Sequence, residues 1–170
     1  TEDQMALHPA GWYDAQAITQ MLRRKVEAID TASHTVTLDG GEKVSYTKLI
    51  LALGSESFIP PIPGREQEGV VAIRRIPDVE KVQAMGAVRQ AVVIGGGVLG
   101  LEAAWELRKS GSEVTVLELA PTLMGRQLDD ASAKLLLEKC GQSGVRVELG
   151  GKIEAMEGSG HVTGVKLASG

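Results

Sequence analysis

The sequence of 170 residues has few cysteines, few aromatic residues and no long apolar run. Its single cysteine, Cys140, cannot form an internal disulfide, which favours a reducing compartment and predicts a cytoplasmic protein. Aromatic residues make up only 3%, so aliphatic side chains must fill the core, as is typical of α/β proteins. No apolar stretch reaches membrane-spanning length, and residues 1–12 have neither a basic start nor an apolar signal core.

The charge pattern excludes other classes of partner. The net charge is -4, and no block of lysine or arginine gives a footprint for nucleic acid or an anionic membrane. The three histidines, at positions 8, 34 and 161, lack ligand spacing, so no metal site is expected. Neither nucleic acid nor a membrane is therefore an expected partner.

Residues 91–118 carry the most informative pattern, AVVIGGGVLGLEAAWELRKSG followed by SEVTVLE. It predicts an apolar strand, a Gly-x-Gly-x-x-Gly turn, a helix and a second strand that ends in an acid, which is the order that a dinucleotide site needs. Gly95 permits a tight turn, Gly97 lets the backbone approach a pyrophosphate, and Gly100 lets the helix pack closely on the strand. The helix is expected to begin at about Val98, where its free N–H groups and positive dipole end attract phosphate.

Glu118 lies at the predicted tip of the second strand. A carboxylate there can accept the ribose hydroxyls of an adenosine and repels a 2′-phosphate, which predicts NADH in preference to NADPH. Arg126 could reach such a phosphate or be a solvated surface arginine. Three glycines also form ordinary strand-to-helix turns, but the coincidence of all four features favours dinucleotide binding over that alternative.

The remaining patterns predict further elements. An apolar run at 49–53 predicts a fully buried strand, followed by a turn at Gly54. Cys140 is expected to be a small buried hydrophobic residue rather than a reactive thiol. The other predicted elements are a helix over 14–24, antiparallel strands over 25–30, 35–38 and 43–45, a helix over 77–85, a helix capped by Asp129, a strand over 145–149 and a hairpin over 152–168.

Three segments together carry a family resemblance. KLILALGSESFIPPIPG, the GGGVLGLE turn and the acidic second strand, in this order and spacing, resemble the FAD-dependent pyridine nucleotide-disulfide oxidoreductases. Within that family, LMGRQLD at 123–129 is similar to NADH:rubredoxin reductases and to the flavin portion of NAD(P)H nitrite reductase large subunits. The resemblance covers nearly the whole chain.

The resemblance implies an oxidoreductase that passes hydride from NADH to FAD. The flavin then passes electrons to an acceptor such as rubredoxin or a nitrite-reducing haem module, so an electron-acceptor protein is an implied partner beside the dinucleotides. The alternative is a stand-alone dinucleotide-binding or sensing module without catalysis. FAD is expected in the full-length protein, because the family's first FAD motif would lie upstream of residue 1.

The resemblance also implies roles for individual residues. Glu102 would lie near the nicotinamide and flavin, or would simply be a first-turn acid favoured by the helix dipole. The FAD contacts would come from the backbone of Val26 and from the turn Ala52, Leu53 and Gly54, where the family usually has Ala-Thr-Gly. The pyrophosphate would be held by Gly95, Gly97, Val98, Leu99 and Gly100, and the adenosine ribose by Glu118. No catalytic residue and no metal ligand is assigned.

The expected fold class is α/β, with a Rossmann-like parallel sheet, an antiparallel β-meander and part of a second unit that resembles an FAD domain. The proline-rich connector at 60–64 suggests a boundary, which gives a partial FAD-binding domain over 1–87 and an NADH-binding domain over 88–170. Doubly wound nucleotide domains normally have more parallel strands, so the sequence is expected to be a piece cut at both ends.

Overall fold

A computed structural model describes residues 6–9 and 11–169 of the chain. The fold divides after Gly54 into two compact units, residues 1–54 and residues 55–170. This division rests on compactness and does not test which cofactor each part binds. The functional boundary at residue 87 therefore stays a prediction.

Within its described residues, the first unit contains one short helix and a three-stranded antiparallel sheet. Its elements are α1 (Trp12–Ala15), β1 (Val26–Asp30), β2 (Thr35–Leu38) and β3 (Lys43–Ser45), with sheet order β1-β2-β3. Val36 of the central strand pairs with Ile29 on one side and Val44 on the other. The three strands predicted from the sequence are confirmed.

The predicted helix over residues 14–24 is wrong, because α1 ends at Ala15. Ala17 and Arg23 adopt positive φ angles of 56° and 58°, which a right-handed helix cannot contain. Two apolar side chains of the predicted helix, Ile18 and Leu22, are exposed. A helical apolar face without a surface to cover it contributes little to helix stability.

The predicted buried strand over residues 49–53 is also wrong. No strand is assigned there, and Ile50, Leu51 and Leu53 are 88%, 61% and 82% exposed. A buried parallel strand requires neighbours on its edges and layers on its faces. No strand among the described residues pairs with this run, so its hydrophobicity alone does not make it part of a sheet.

The second unit contains a parallel sheet flanked by helices and a separate hairpin. The elements are α2 (Ile76–Ala84), β4 (Gln90–Ile94), α3 (Val98–Lys109), β5 (Glu113–Glu118), α4 (Asp130–Gln142), β6 (Val145–Leu149), β7 (Ile153–Gly158) and β8 (Val162–Leu167). The parallel sheet has the order β4-β5-β6, and β7 and β8 pair antiparallel. Together with the meander, these elements confirm the predicted α/β class and the predicted helices and strands of this region.

The core of the second unit lies between α3 and the parallel sheet. Val114 and Val116 project from the same face of the central strand, because side chains alternate along a strand, and both are buried with Ala104 of α3 and Val145 of β6. Cys140 of α4 packs against this cluster, and burial raises the pKa of its thiol. Cys140 was predicted to be buried; it packs against the core as a hydrophobic residue would, but it is only half-buried.

Caps define how the helices of this unit begin and end. The Asp129 carboxylate accepts a 2.8 Å hydrogen bond from the Ser132 N–H at the start of α4, as predicted. Gly111, with φ +96°, follows the last turn of α3 and allows the chain to reverse into β5.

Among the described residues, no helix is long and apolar enough to cross a membrane.

Candidate functional site

The candidate site lies where β4 ends and α3 begins. Gly95 follows β4 with φ +107°, and its N–H donates a 2.8 Å hydrogen bond to the Leu117 carbonyl of the neighbouring strand. A Cβ at Gly100 would overlap the Gly95 carbonyl oxygen, so the first turn of α3 rests directly on the strand end. Both positions therefore require glycine for the protein's own geometry.

Gly97 differs from these two glycines. Its φ of -82° and ψ of 179° are open to any residue, and a Cβ there would meet nothing within 4 Å. The protein's own packing does not require glycine at this position. The space beside Gly97 is free for a ligand to approach the backbone.

The start of α3 presents free hydrogen-bond donors to that space. The Leu101 N–H donates to the Gly97 carbonyl at 3.0 Å, but no backbone acceptor among the described residues takes the N–H groups of Val98, Leu99 or Gly100. No side chain caps this helix. Three unpaired donors at the positive end of a twelve-residue helix form an arrangement that suits an anion.

At the starts of α2 and α4, a carboxylate accepts hydrogen bonds from backbone N–H groups. Asp78 accepts hydrogen bonds from the Arg75 and Arg74 N–H groups at 2.8 and 3.0 Å, and these bonds lower the pKa of its carboxyl. Hydrogen bonds from the side chain and the N–H of Ser132 likewise lower the pKa of the Asp129 carboxyl. Among the described helices of this unit, only the one that follows the glycine turn has no carboxylate accepting backbone hydrogen bonds at its start.

Glu118 is the last residue of β5, and its carboxylate contacts the glycine turn. Its Oε2 accepts a 2.6 Å hydrogen bond from the Gly96 N–H, and its Oε1 accepts a 2.7 Å bond from the Ala120 N–H. The structure thus places Glu118 at the tip of β5, beside the glycine turn. The carboxylate is half-buried, so it has a fixed position as well as access to a ligand.

Glu102 is the fifth residue of α3 and is exposed. No acidic side chain lies in the first turn of this helix, so the alternative interpretation of Glu102 as a first-turn acid is wrong. Its predicted place near nicotinamide and flavin stays a prediction.

Arg126 is exposed in the segment that follows β5, and no ion pair of the described residues includes it.

The residues predicted to contact FAD belong to the first unit. Val26 opens β1 and pairs with Leu38. Ala52, Leu53 and Gly54 are exposed and outside regular structure, and Gly54 has φ +69°. These residues form no enclosed cradle by themselves, so no chemical step is assigned to FAD from this chain alone.

Two residues of the site were missed in the sequence pattern. Gly96 is buried, and a Cβ there would lie 2.5 Å from the Leu123 Cδ2 and 3.1 Å from the Glu118 Oε2. Leu123 is only 1% exposed and covers the turn. The Gly-x-Gly-x-x-Gly motif allows any residue at position 96, but the run of three successive glycines was a signal that this position is restricted too.

Among the described residues, no cluster of potential metal ligands occurs.

Comparison with known proteins identifies the family of the chain. The family model described as pyridine nucleotide-disulphide oxidoreductase matches residues 6–170. The chain belongs to this family. The predicted resemblance to the FAD- and NAD(P)H-dependent oxidoreductases is therefore confirmed.

Three relatives illustrate the match. A nitrite reductase [NAD(P)H] of Bacillus subtilis is 38% identical over 98% of this chain and 21% of its own length. A rubredoxin-NAD(+) reductase of Pseudomonas putida is 33% identical over 99% of this chain and 44% of its own length. The crystal structure of a ferredoxin reductase from Rhodopseudomonas palustris has a TM-score of 0.88 and 30% identity, and the match covers 96% of this chain and 41% of that chain. The chain thus spans less than half the length of each of these relatives.

Proposed function

We propose that this chain is the NADH-binding portion of an FAD-dependent oxidoreductase. The observation that carries the proposal is the open start of α3, where three unpaired N–H groups directly follow Gly97, whose missing Cβ leaves free space. An anionic pyrophosphate fits both the donors and the positive helix end. Membership of the family supports the same ligand class.

The proposed pyrophosphate site consists of the backbone around the turn and the first residues of α3. Gly95 and Gly100 set the close approach of turn and helix, Gly97 leaves room for the phosphates, and the N–H groups of Val98 and Leu99 donate to them. The Glu118 carboxylate at the tip of β5 would accept the adenosine ribose hydroxyls, through lone pairs that its two backbone donors leave free. Because the same carboxylate repels a 2′-phosphate, NADH is the preferred nucleotide.

In the proposed enzyme, bound FAD would supply the redox chemistry, taking a hydride from NADH and passing electrons to an acceptor. Residues of this chain would bind and orient the nucleotide, and Glu102 would lie near the nicotinamide and flavin. The names of two relatives, rubredoxin-NAD(+) reductase and nitrite reductase [NAD(P)H], favour rubredoxin or a nitrite-reducing module as the acceptor. We assign the NADH site to residues 88–170 and flavin contacts to Val26 and residues 52–54 within 1–87.

An anaerobic absorbance experiment tests this function. The chain is mixed with excess FAD, NADH is added, and the loss of flavin absorbance is followed against a free-flavin control. Faster bleaching than the control, abolished by Gly97→Leu, would support an NADH:flavin reductase.

A fluorescence titration with NADH alone separates binding from catalysis. Binding without acceleration of flavin reduction would instead support a nucleotide-binding module without catalysis. Failure to bind NADH would contradict the proposal.

A further inference from the structure

We infer that Glu118 is a positioning residue for the pyrophosphate site, and that it holds the glycine turn in its binding shape independently of any contact with the ribose. This inference rests on the proposed function, since it concerns how the same site binds the phosphates. A residue that only selected between NADH and NADPH would not need hydrogen bonds to the turn. Glu118 makes such bonds within the protein.

The two carboxylate oxygens of Glu118 bind different segments. One accepts from Gly96, at the middle of the turn after β4, and the other accepts from Ala120, just beyond β5. At 2.6 and 2.7 Å, both are short bonds to a carboxylate, the class of hydrogen bond that is strongest in proteins. The side chain therefore links the turn to the end of β5 through two hydrogen bonds.

The backbone extends this connection to the third strand. The Glu118 carbonyl accepts from the Gly151 N–H at 3.2 Å, and the Ala120 carbonyl accepts from the Gly150 N–H at 3.1 Å, just after β6. Residue 118 thus links the carboxyl ends of all three strands of the parallel sheet. The orientation of the turn is set from the strand beside it as well as from its own glycines.

No other acceptor of the described residues takes the Gly96 N–H. Gly96 is buried beneath Leu123, so this donor cannot simply exchange the carboxylate for bulk water. A buried donor that loses its partner is costly, and the turn would shift to relieve it. Because Gly97 and the first N–H groups of α3 follow directly, such a shift would misalign the phosphate donors.

The inference is tested with two nucleotides that differ only in the ribose. Affinities for ADP and for 2′,3′-dideoxy-ADP are measured by calorimetry with the wild-type chain, Glu118→Gln and the control Glu113→Gln. Glu113 starts the same strand at its opposite, exposed end, so the control removes the same charge far from the turn. A glutamine at 118 has one acceptor oxygen and cannot satisfy both backbone donors.

We expect Glu118→Gln to weaken binding of dideoxy-ADP about tenfold, because a charge-assisted bond that shapes the turn is lost. The control should bind both ligands as the wild type does. If Glu118→Gln weakens ADP but leaves dideoxy-ADP unchanged, Glu118 acts only through the ribose hydroxyls, and the inference is overturned. If the wild type binds neither ADP nor NADH, the proposed function itself fails.

Amide hydrogen exchange provides a ligand-free readout. Glu118→Gln should accelerate exchange at Gly96 and Ala120 while the core amides of β5 keep their protection. Unchanged protection at both positions would contradict the positioning role. A uniform loss of protection throughout the unit would show general destabilisation and would also overturn the inference.

Discussion

Two apolar runs in this chain are each followed by a glycine, but only one forms a strand. Residues 91–94 lie in β4, pair in register with β5 and lead into the turn at Gly95. Residues 49–53 lead to Gly54, yet they have no partner among the described strands and are exposed. The difference shows that an apolar run becomes a strand when a partner and a covering layer are present.

The two glycines differ correspondingly in what surrounds them. The Gly95 turn is tied to β5 through Leu117 and is covered by the first residues of α3. A Cβ at Gly54 would meet nothing within 4 Å. The first turn is a formed site, whereas the second is an exposed segment of chain.

The largest effect on stability is expected where the formed turn is tightest. Gly100→Ala places a Cβ onto the Gly95 carbonyl oxygen, and we expect the free energy of unfolding to fall by about 1–3 kcal/mol, as for an overpacked core position. Urea denaturation measures this change. The matched control is Gly97→Ala, which enters open space and should lose less than about 1 kcal/mol, the usual cost of alanine at a helix N-cap. Equal stability of the two variants would refute the close contact.

A smaller loss of stability is expected when acid protonates the carboxylates at the starts of α2 and α4. The folded-state pKa values of Asp78 and Asp129 lie below the ordinary 3.8, so their stabilisation is present above that value and is lost as the pH falls through the lower folded values. Thermal melts between pH 5 and pH 3 (roughly the range in which a carboxyl titrates) should show a decreasing Tm. Asp78→Asn together with Asp129→Asn should flatten that decrease, and an unchanged slope would exclude these caps as its source.

The smallest effect on stability is expected for a substitution in the exposed run at residues 49–53. Leu53→Thr restores the residue that the family usually has, and it should change the free energy of unfolding by less than about 0.5 kcal/mol because Leu53 is 82% exposed. Denaturation monitored as for the other variants gives the value. A loss above about 1 kcal/mol would mean that the run is packed and that the contrast between the two segments is false.

The sequence predicted the second unit better than the first. From Gln90 to Leu167, strand and helix periods, glycine punctuation and the Asp129 cap agree with one another, and each predicted element forms. Over residues 14–24 and 49–53 the pattern predicted regular structure, but stability there depends on surfaces that the pattern does not contain. The close approach of Leu123 to Gly96 was missed for a related reason, since it arises from a loop conformation and has no period in the sequence.

NADH should bind at the open start of α3, and a fluorescence titration of NADH against the wild type and Gly97→Leu measures that binding. The wild type should bind saturably, and the variant should bind with an affinity at least about tenfold lower while keeping its fold, because Gly97 faces open space. A wild type that does not bind NADH, or a variant that binds it as well as the wild type, would contradict binding at this site.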